Sequence, residues 1–157
     1  MTVTVRPARP SDADDLGRMG AALARLHHAW DEQRFMLAES LEDGYRSWLS
    51  REAENKKAVV LVAELEARVV GYAYGRAEGR DWNMLVDPHG GFHDLWVDAE
   101  ARCHGVGEKL VLETIERFKA LGVPRIVLHT AAKNEAAQRF FAKQGWRPTM
   151  VEMTREL

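Results

Sequence analysis

The stretch ARCHGVGEKLVLETIERF, residues 101–118, constrains this chain most strongly. It places Gly105 and Gly107 between a strand-like run and an amphipathic helix. The free N–H groups of a helix N-terminus, together with the positive end of the helix dipole, favour a bound anion and often a phosphate. Glycine allows such a ligand to approach the backbone closely because it has no Cβ. The stretch therefore predicts an anion site at a strand-to-helix junction.

The glycine pattern R-x-x-G-x-G differs from two well-known phosphate-binding fingerprints. No third glycine follows Gly107 at the offset of the dinucleotide motif, and no acidic residue closes a second strand at the usual distance. No G-K-S/T sequence ends the turn, as a P-loop requires. These absences disfavour the common types of nucleotide-binding domain.

The composition predicts a single globular domain over residues 1–157, with 46% hydrophobic and 29% charged residues. A net charge of −2 argues against nucleic acid as a partner. The longest apolar run, 58–63, is too short to span a bilayer, and the N-terminal residues lack the apolar core of a secretory signal. A single cysteine, Cys103, leaves no internal disulfide. We therefore expect a cytoplasmic protein without a membrane partner.

Hydrophobic periodicity and turn residues predict a mixed α/β order. Strands are expected at 2–6, 58–64, 68–76, 92–98 and 125–130, with a last strand in 146–157 broken near Pro148. Helices are expected from Ser11 to about His28 and at 37–54, 105–121 and 134–144. Residues 78–91 are expected to form a loop, and the two strands at 58–76 are expected to form a hairpin.

A second motif, NEAAQRFFAKQGW, begins at Asn134, 27 residues after Gly107. The two motifs together resemble the GNAT superfamily of N-acetyltransferases, in which R/Q-x-x-G-x-G/A is followed by N-x-x-A-x-x-F-Y-x-x-x-G-F. The resemblance is strongest over 92–146 and extends more loosely to the whole chain. It implies a bacterial-type single-domain member, with a mixed central sheet of about six to seven strands flanked by about four helices.

The resemblance implies acetyl-CoA as the co-substrate. The turn before the third long helix would hold the pyrophosphate with its backbone, over Arg102, Cys103, His104, Gly105, Val106 and Gly107. The pantetheine arm would lie where the fourth and fifth strands splay apart, beside Leu95, Trp96 and Val97. The second motif would add further cofactor contacts through Asn134, Phe140, Phe141 and Lys143.

Two catalytic positions depart from the family pattern. Phe141 stands where the family commonly has a tyrosine that protonates the departing thiolate, and phenylalanine cannot donate that proton. The family's strand glutamate falls at positions matching Gly91 or His93. His93 is the candidate general base, since an ordinary histidine pKa lies near 6.5. Asp94 is the next candidate, although strand alternation would direct it to the opposite face.

Two other chemistries have weak support in the sequence. Cys103 precedes a helix N-terminus, which lowers the pKa of a thiol, so a covalent acetyl-cysteine route is an alternative to direct transfer. His27 and Asp31, and also His89 and His93, have spacings found in metal sites. Neither pair has a third ligand nearby in its motif, so we predict no metal.

The acceptor side is predicted by the resemblance, because in this family the first two helices and the loop before the fourth strand wall that site. The matching residues are His28, Asp31, Arg34, Phe35, Trp82 and Asp87. Trp48 and the stripe of Leu41, Tyr45 and Leu49 are instead predicted to lie in the core. The last strand lacks the turn of a C-terminal hairpin, so its open edge predicts a homodimer.

The sequence therefore predicts an acetyl-CoA-dependent N-acetyltransferase. The acceptor would be a primary amine of a small molecule or peptide, which attacks the thioester directly in a ternary complex. Backbone N–H groups would stabilise the tetrahedral oxyanion. The alternative is a non-catalytic acyl-CoA-binding sensor or regulatory module. Both predict CoA binding, and only turnover separates them.

Overall fold

The computed structural model describes residues 2–157. Within these residues the chain forms five strands and four α-helices, with short 3₁₀ turns at Pro10–Asp12 and Ala99–Ala101. In chain order the elements are β1 (Val3–Pro7), α1 (Ala13–Trp30), α2 (Leu41–Ala53), β2 (Ala58–Leu65), β3 (Arg68–Glu78), β4 (His89–Val97), α3 (Val106–Ala120), β5 (Ile126–Leu128) and α4 (Glu135–Lys143). The predicted mixed α/β class is confirmed.

The strands form one sheet in the order β1-β2-β3-β4-β5. The first four strands pair antiparallel, and β5 pairs parallel with β4. Glu66 and Ala67 join β2 to β3 with φ angles of 51° and 62°. Two consecutive positive φ angles make the turn whose twist matches that of the flanking strands. The predicted hairpin is therefore confirmed.

Each face of the sheet carries its own hydrophobic core, because successive strand residues point to opposite sides. One cluster includes Leu61, Leu110 and Phe118 and lies under α3. The other includes Leu16, Leu49 and Val62 and lies under α1 and α2. The sheet thus separates the helix that follows β4 from the two helices near the N-terminus.

Phe118 seats α3 on the sheet. Its ring occupies the space that side chains would need at Gly75 on β3 and Gly90 on β4, where an added Cβ would lie 2.7 Å from a ring atom. Phe118 itself is only 1% exposed. This close approach fixes α3 against the two central strands, and with it the turn that begins the helix.

The structure departs from the predicted elements mainly at the C-terminus. Within the described residues, 144–157 contain no strand, so the sheet has five strands rather than six to seven. Pro148 lacks an N–H for a strand ladder, and Met150, Val151 and Met153 are 65%, 83% and 91% exposed. The tail therefore buries no apolar face that would hold it in the sheet.

Other element boundaries also differ from the prediction. Helix α2 begins at Leu41 rather than near Leu37, because Ser40 adopts a left-handed conformation with φ 54°. Strand β4 begins at His89 and strand β3 reaches Glu78, so both ends of the predicted 78–91 loop belong to the sheet. The backbone register pairs Glu78 with His89. Residues assigned to a loop therefore lie on two adjacent strands.

A buried ion pair ties β1 to the start of α1. The Arg6 guanidinium donates to both carboxylate oxygens of Asp12, at 2.7 and 3.0 Å, and the Arg9 backbone N–H donates to Asp12 Oδ2 at 2.7 Å. Hydrogen bonding from Arg6 lowers the pKa of the Asp12 carboxyl, against the effect of burial. The carboxylate therefore stabilises the fold above its unfolded-state pKa and loses that contribution as the pH falls through the lower folded-state value.

We predict that Asp12→Asn lowers the free energy of unfolding by about 1–3 kcal/mol at pH 7, because Arg6 loses one of its two charged partners and keeps only Glu64. The difference from wild type should shrink as the pH falls from 6 to 3. Thermal unfolding of both proteins across this range measures it. A difference independent of pH would show that the ionised carboxylate is not the source.

Candidate functional site

A gap opens between β4 and β5. Their pairing covers only Gly90–Phe92 on β4 and Ile126–Leu128 on β5. Strand β4 continues to Val97, whereas β5 ends at Leu128. Within residues 2–157, the backbone of 93–97 therefore has no strand partner on the β5 side. The predicted splaying of these strands is present in the structure.

The N-terminus of α3 lies at the end of this gap. Gly105 is the N-cap with φ 78° and offers no side-chain cap to the helix. The residues before the helix, Cys103, His104 and Gly105, are exposed. The first N–H groups of a helix have no partner within the helix, so those of α3 are available to an anion.

Apolar side chains wall the gap. Leu95, Val97 and Phe140 are partly buried and pack on the same core cluster. An added Cβ at Gly107 would lie 3.5 Å from Phe140 and 3.8 Å from Val97. The first turn of α3, strand β4 and helix α4 thus meet at one place and border the gap as a groove with apolar walls.

Other residues predicted for the cofactor have contacts within the protein. Asn134 caps α4, with its side-chain oxygen accepting from the Ala137 N–H at 3.1 Å. Arg102 donates from Nε to the Val97 carbonyl and lies over the Trp96 ring. Trp96 packs on the α1/α2 face and donates to Asp98 at 2.9 Å, so only its backbone is available to the gap.

Phe141 belongs to the core beneath the gap. It is 8% exposed, and its ring makes edge-to-face contacts with Phe92, Phe140 and Trp146. Lys143 occupies the last turn of α4 and is exposed. Of the residues predicted from the second motif, Phe140 therefore borders the groove most directly.

A β-bulge in β4 brings both catalytic candidates to one face of the sheet. The register with β3 shifts between Tyr74, which pairs with Asp94, and Gly75, which pairs with Phe92. His93 is the extra residue, and its ring stacks on Tyr74 at 5.7 Å. Tyr72 donates its hydroxyl to Asp94 at 2.8 Å. The expectation that Asp94 projects away from His93 is therefore wrong, because a bulge interrupts strand alternation.

Asp94 occupies an enclosed site with tyrosines around it. Burial raises the pKa of its carboxyl, while the hydrogen bond from Tyr72 and the nearby His93 and His27 oppose that rise. Burial and the Asp94 charge also raise the pKa of the Tyr72 hydroxyl well above its ordinary value. Ionisation of Asp94 therefore lowers the free energy of unfolding relative to the protonated form.

We predict that Asp94→Asn raises the free energy of unfolding by about 1 kcal/mol at pH 7, because the neutral amide keeps an acceptor for Tyr72 and removes a buried charge. A raised folded-state pKa makes the wild type relatively more stable below the unfolded-state pKa, so the gain should vanish near pH 3.5. Unfolding measured at both pH values tests it. An equal destabilisation at both would contradict this account of Asp94.

The acceptor-side candidates on the α1–α2 connection form one cluster. His28 Nδ1 donates to the Phe35 carbonyl at 2.8 Å, and the Asp31 carboxylate accepts from the backbone N–H groups of Gln33 and Arg34. The Arg34 guanidinium lies over the Phe35 ring and pairs with Glu152 of the tail. These contacts give the connection a defined shape.

The remaining two candidates lie in the loop between β3 and β4. Asp87 accepts from Arg80 at 2.8 Å, and the Arg80 guanidinium lies over Trp82. Trp82 is 75% exposed.

Trp48, predicted to be in the core, is 37% exposed and contacts Tyr45 and Tyr74. Leu41 and Leu49 are buried as predicted.

Two acidic residues near His93 were missed in the sequence. Glu78 hydrogen-bonds His93 and lies 3.6 Å from the imidazole Nε2 of His89. Glu52 is 8% exposed and accepts from the Tyr74 hydroxyl at 2.8 Å and from Arg76 at 3.2 Å. The alternation of β3 through Tyr74, Arg76 and Glu78 was the available signal for Glu78. For Glu52, the helical pattern of α2 gives no sign that its carboxylate would be buried.

Two features are absent from residues 2–157, the part of the chain that the structure describes. No group of three or more histidine, cysteine or acidic side chains is placed to hold a metal ion. His89 and His93 instead both face Glu78. No helix in this part of the chain has the length and apolar content needed to cross a membrane.

Comparison with known proteins agrees with this architecture. Residues 23–146 match the model of the acetyltransferase (GNAT) family. The chain belongs to this family. An uncharacterized N-acetyltransferase of Archaeoglobus fulgidus is 25% identical over 141 residues, which cover 88% of this chain and 91% of the relative. A similar protein of Methanocaldococcus jannaschii is 36% identical over 88 residues, 55% of this chain and 51% of the relative.

Solved structures share the fold across the whole chain. A tetramutant of the BH1408 protein from Bacillus halodurans superposes with a TM-score of 0.84 at 23% identity, covering 98% of this chain and 99% of the other. The PaiA N-acetyltransferase of Thermoplasma acidophilum, solved in complex with coenzyme A, gives a TM-score of 0.75 at 15% identity, covering 97% and 94%. The predicted GNAT resemblance is therefore confirmed.

Proposed function

We propose that this protein transfers an acetyl group from acetyl-CoA to a primary amine of a small molecule or peptide. The observation that carries the proposal is the uncapped N-terminus of α3 at the end of the β4–β5 gap. Backbone N–H groups at Gly105–Gly107 would bind the pyrophosphate. The pantetheine arm would lie along Leu95 and Val97. The coenzyme A in the Thermoplasma acidophilum structure supports this choice of ligand.

Direct attack of the amine on the thioester, in a ternary complex, is the proposed mechanism. The backbone of β4 beyond Phe92, which has no strand partner on the β5 side, would offer N–H groups to the thioester carbonyl, whose oxygen becomes negative in the tetrahedral intermediate. His93 would accept the proton of the attacking amine. Its exposed ring lies at the bulge where β4 leaves β5.

The departing thiolate would take its proton from water. Phe141 has no hydroxyl, and the two nearby tyrosine hydroxyls are engaged, Tyr72 with Asp94 and Tyr74 with Glu52. A thiol pKa near 8.5 makes the thiolate a fair leaving group at neutral pH, so the reaction tolerates the absence of a strong acid. Cys103 would have no covalent role, because direct attack requires no acetyl-enzyme.

The acceptor would enter from the face that carries α1 and α2. Asp94 and Glu52 lie on this side of the site, with Arg76 as the cationic partner of Glu52. Acidic groups beside aromatic rings suit a cationic amine. His28, Asp31, Arg34, Phe35, Trp82 and Asp87 would shape its entrance.

Turnover of acetyl-CoA with pooled amines tests the proposal. Polyamines, amino acids, aminoglycosides, aryl amines and short peptides should be incubated from pH 6 to 9, with products identified by mass spectrometry. We expect an acetylated amine in at least one pool and no stable acetylation of Cys103. Tight acetyl-CoA binding without any product would support the alternative, a non-catalytic acyl-CoA-binding sensor or regulatory module, for which Phe141 is the favouring feature.

We also propose a cytoplasmic homodimer. Cys103 is the only cysteine in the sequence, which suits a reducing compartment. The last strand from which the sequence predicted a dimer is absent from 144–157, so the proposal rests instead on β5, which pairs over three residues and forms one edge of the sheet. Light scattering at micromolar concentration should give twice the 17.8 kDa of the chain. A monomer mass would contradict the dimer.

A further inference from the structure

The carboxylate of Glu78 is hydrogen-bonded to the imidazole ring of His93. Glu78 ends β3, and its Oε1 accepts a hydrogen bond from His93 Nε2. The His93 ring is also stacked on Tyr74, and its side chain is 41% exposed. One nitrogen and one face of the imidazole are therefore fixed, while the rest of the ring is open to a reactant.

The hydrogen bond determines which nitrogen is basic. An ionised carboxylate only accepts hydrogen bonds, so Nε2 carries the proton in the neutral ring. Nδ1 is then the nitrogen with a free lone pair, and it has no hydrogen-bond partner among residues 2–157. A carboxylate that selects the tautomer of a catalytic histidine also steadies the imidazolium that forms when it takes a proton.

Gly91 provides the space for this pair. An added Cβ at Gly91 would lie 2.6 Å from Glu78 Oε1 and 2.7 Å from His93 Nε2. The Glu78 carboxylate and the His93 ring therefore meet over Gly91, in space that a larger residue would fill. On its other side, the Glu78 carboxylate faces His89, whose Nδ1 donates to the Asp87 carbonyl at 2.9 Å. The Glu78 carboxylate thus lies between two histidines of β4.

We propose that Glu78 is the positioning residue of the acetyl transfer, which keeps His93 in the tautomer with Nδ1 free to accept the amine proton. This inference rests on the proposed function. It assigns a role to a residue on β3, the neighbouring strand, rather than on β4. Glu78 would act through His93 rather than by touching acetyl-CoA or the amine.

Kinetics of single and double variants test the role. Glu78→Ala should lower kcat about 100-fold and Glu78→Gln, which keeps an acceptor for Nε2, about tenfold, with the KM for acetyl-CoA unchanged. In the His93→Ala background, Glu78→Ala should cause no further loss. Glu116→Ala, which removes an exposed pair with Lys119, is the control and should keep wild-type kinetics.

Gly91→Ala adds a test that leaves both partners in place. Its Cβ meets only the ends of flexible side chains, so the fold should tolerate it while the Glu78–His93 contact separates. We expect a melting temperature close to wild type and a kcat as low as that of Glu78→Gln. An unchanged kcat in Gly91→Ala and Glu78→Ala would overturn the proposal.

A spectroscopic measurement tests the Glu78–His93 pairing without any measurement of turnover. Nitrogen-15 correlation spectra of the histidine rings should show His93 of the wild type as the pure Nε2–H tautomer at neutral charge, and as a mixture in Glu78→Ala. If no amine is acetylated, the proposed function fails, and this spectrum still tests the pairing. A wild-type ring protonated on Nδ1, or the same spectrum in both proteins, would overturn it.

Discussion

Glutamate in place of Gly107 is expected to lower the affinity for acetyl-CoA about a hundredfold. The substitution puts a carboxylate in the first turn of α3, beside the N–H groups proposed to bind the pyrophosphate. Like charges about 4 Å apart at a protein surface repel by about 3–4 kcal/mol, which corresponds to at least this loss. Isothermal titration calorimetry at low salt measures the effect.

The matched control is glutamine at the same position. Gln has the size of Glu without its charge, and a side chain at Gly107 makes ordinary contacts with Phe140 and Val97. Replacing a helical glycine by either residue should keep or raise the melting temperature. Equal affinity losses in Gly107→Glu and Gly107→Gln would mean that steric blocking, rather than an anion site, explains the result.

Loss of the imidazole at His93 is expected to lower kcat about 100- to 1000-fold at pH 7. His93→Phe keeps a ring on Tyr74 but cannot accept a proton, so it should lose as much activity as His93→Ala. Because His93→Phe keeps the packing on Tyr74 and His93→Ala does not, equal losses would show that proton transfer, rather than packing, explains the effect. Initial rates with the acceptor identified by mass spectrometry provide the measurement.

The pH dependence of this loss also reports on the acceptor. An amine with a pKa near 8 is largely deprotonated at pH 9, so both variants should recover most of their activity there. An amine with a pKa near 10.4 stays protonated, and recovery should be small. Wild-type activity in His93→Phe at pH 7 would exclude His93 as the base.

The sequence predicted the local structure at the starts of α3 and α4 well because its signals there are local. Glycines at 105 and 107 set the α3 turn whatever the surrounding packing, and Asn134 caps α4 through its own first turn. The apolar, valine-rich run at 58–64 likewise predicted a strand, and the structure places Val59 to Ala63 alternately in the two cores. Such features depend on residues close together in the chain.

The surroundings of His93 and Asp94 were predicted less well because they depend on contacts between distant residues. A bulge at His93 reverses the expected direction of Asp94, and periodicity alone does not locate a bulge. Glu78 reaches His93 only because β3 and β4 pair and Gly91 leaves space. The tail was predicted as a strand from its apolar residues, but it lacks a face to pack them on.

A structure of the protein with bound acetyl-CoA is the most direct test of the central claim. The account predicts pyrophosphate oxygens within hydrogen-bonding distance of the backbone nitrogens at Gly105–Gly107, with the pantetheine arm between β4 and β5. It also places the thioester at the β4 bulge, beside His93. Acetyl-CoA bound away from the α3 N-terminus, or with its thioester remote from His93, would contradict the account.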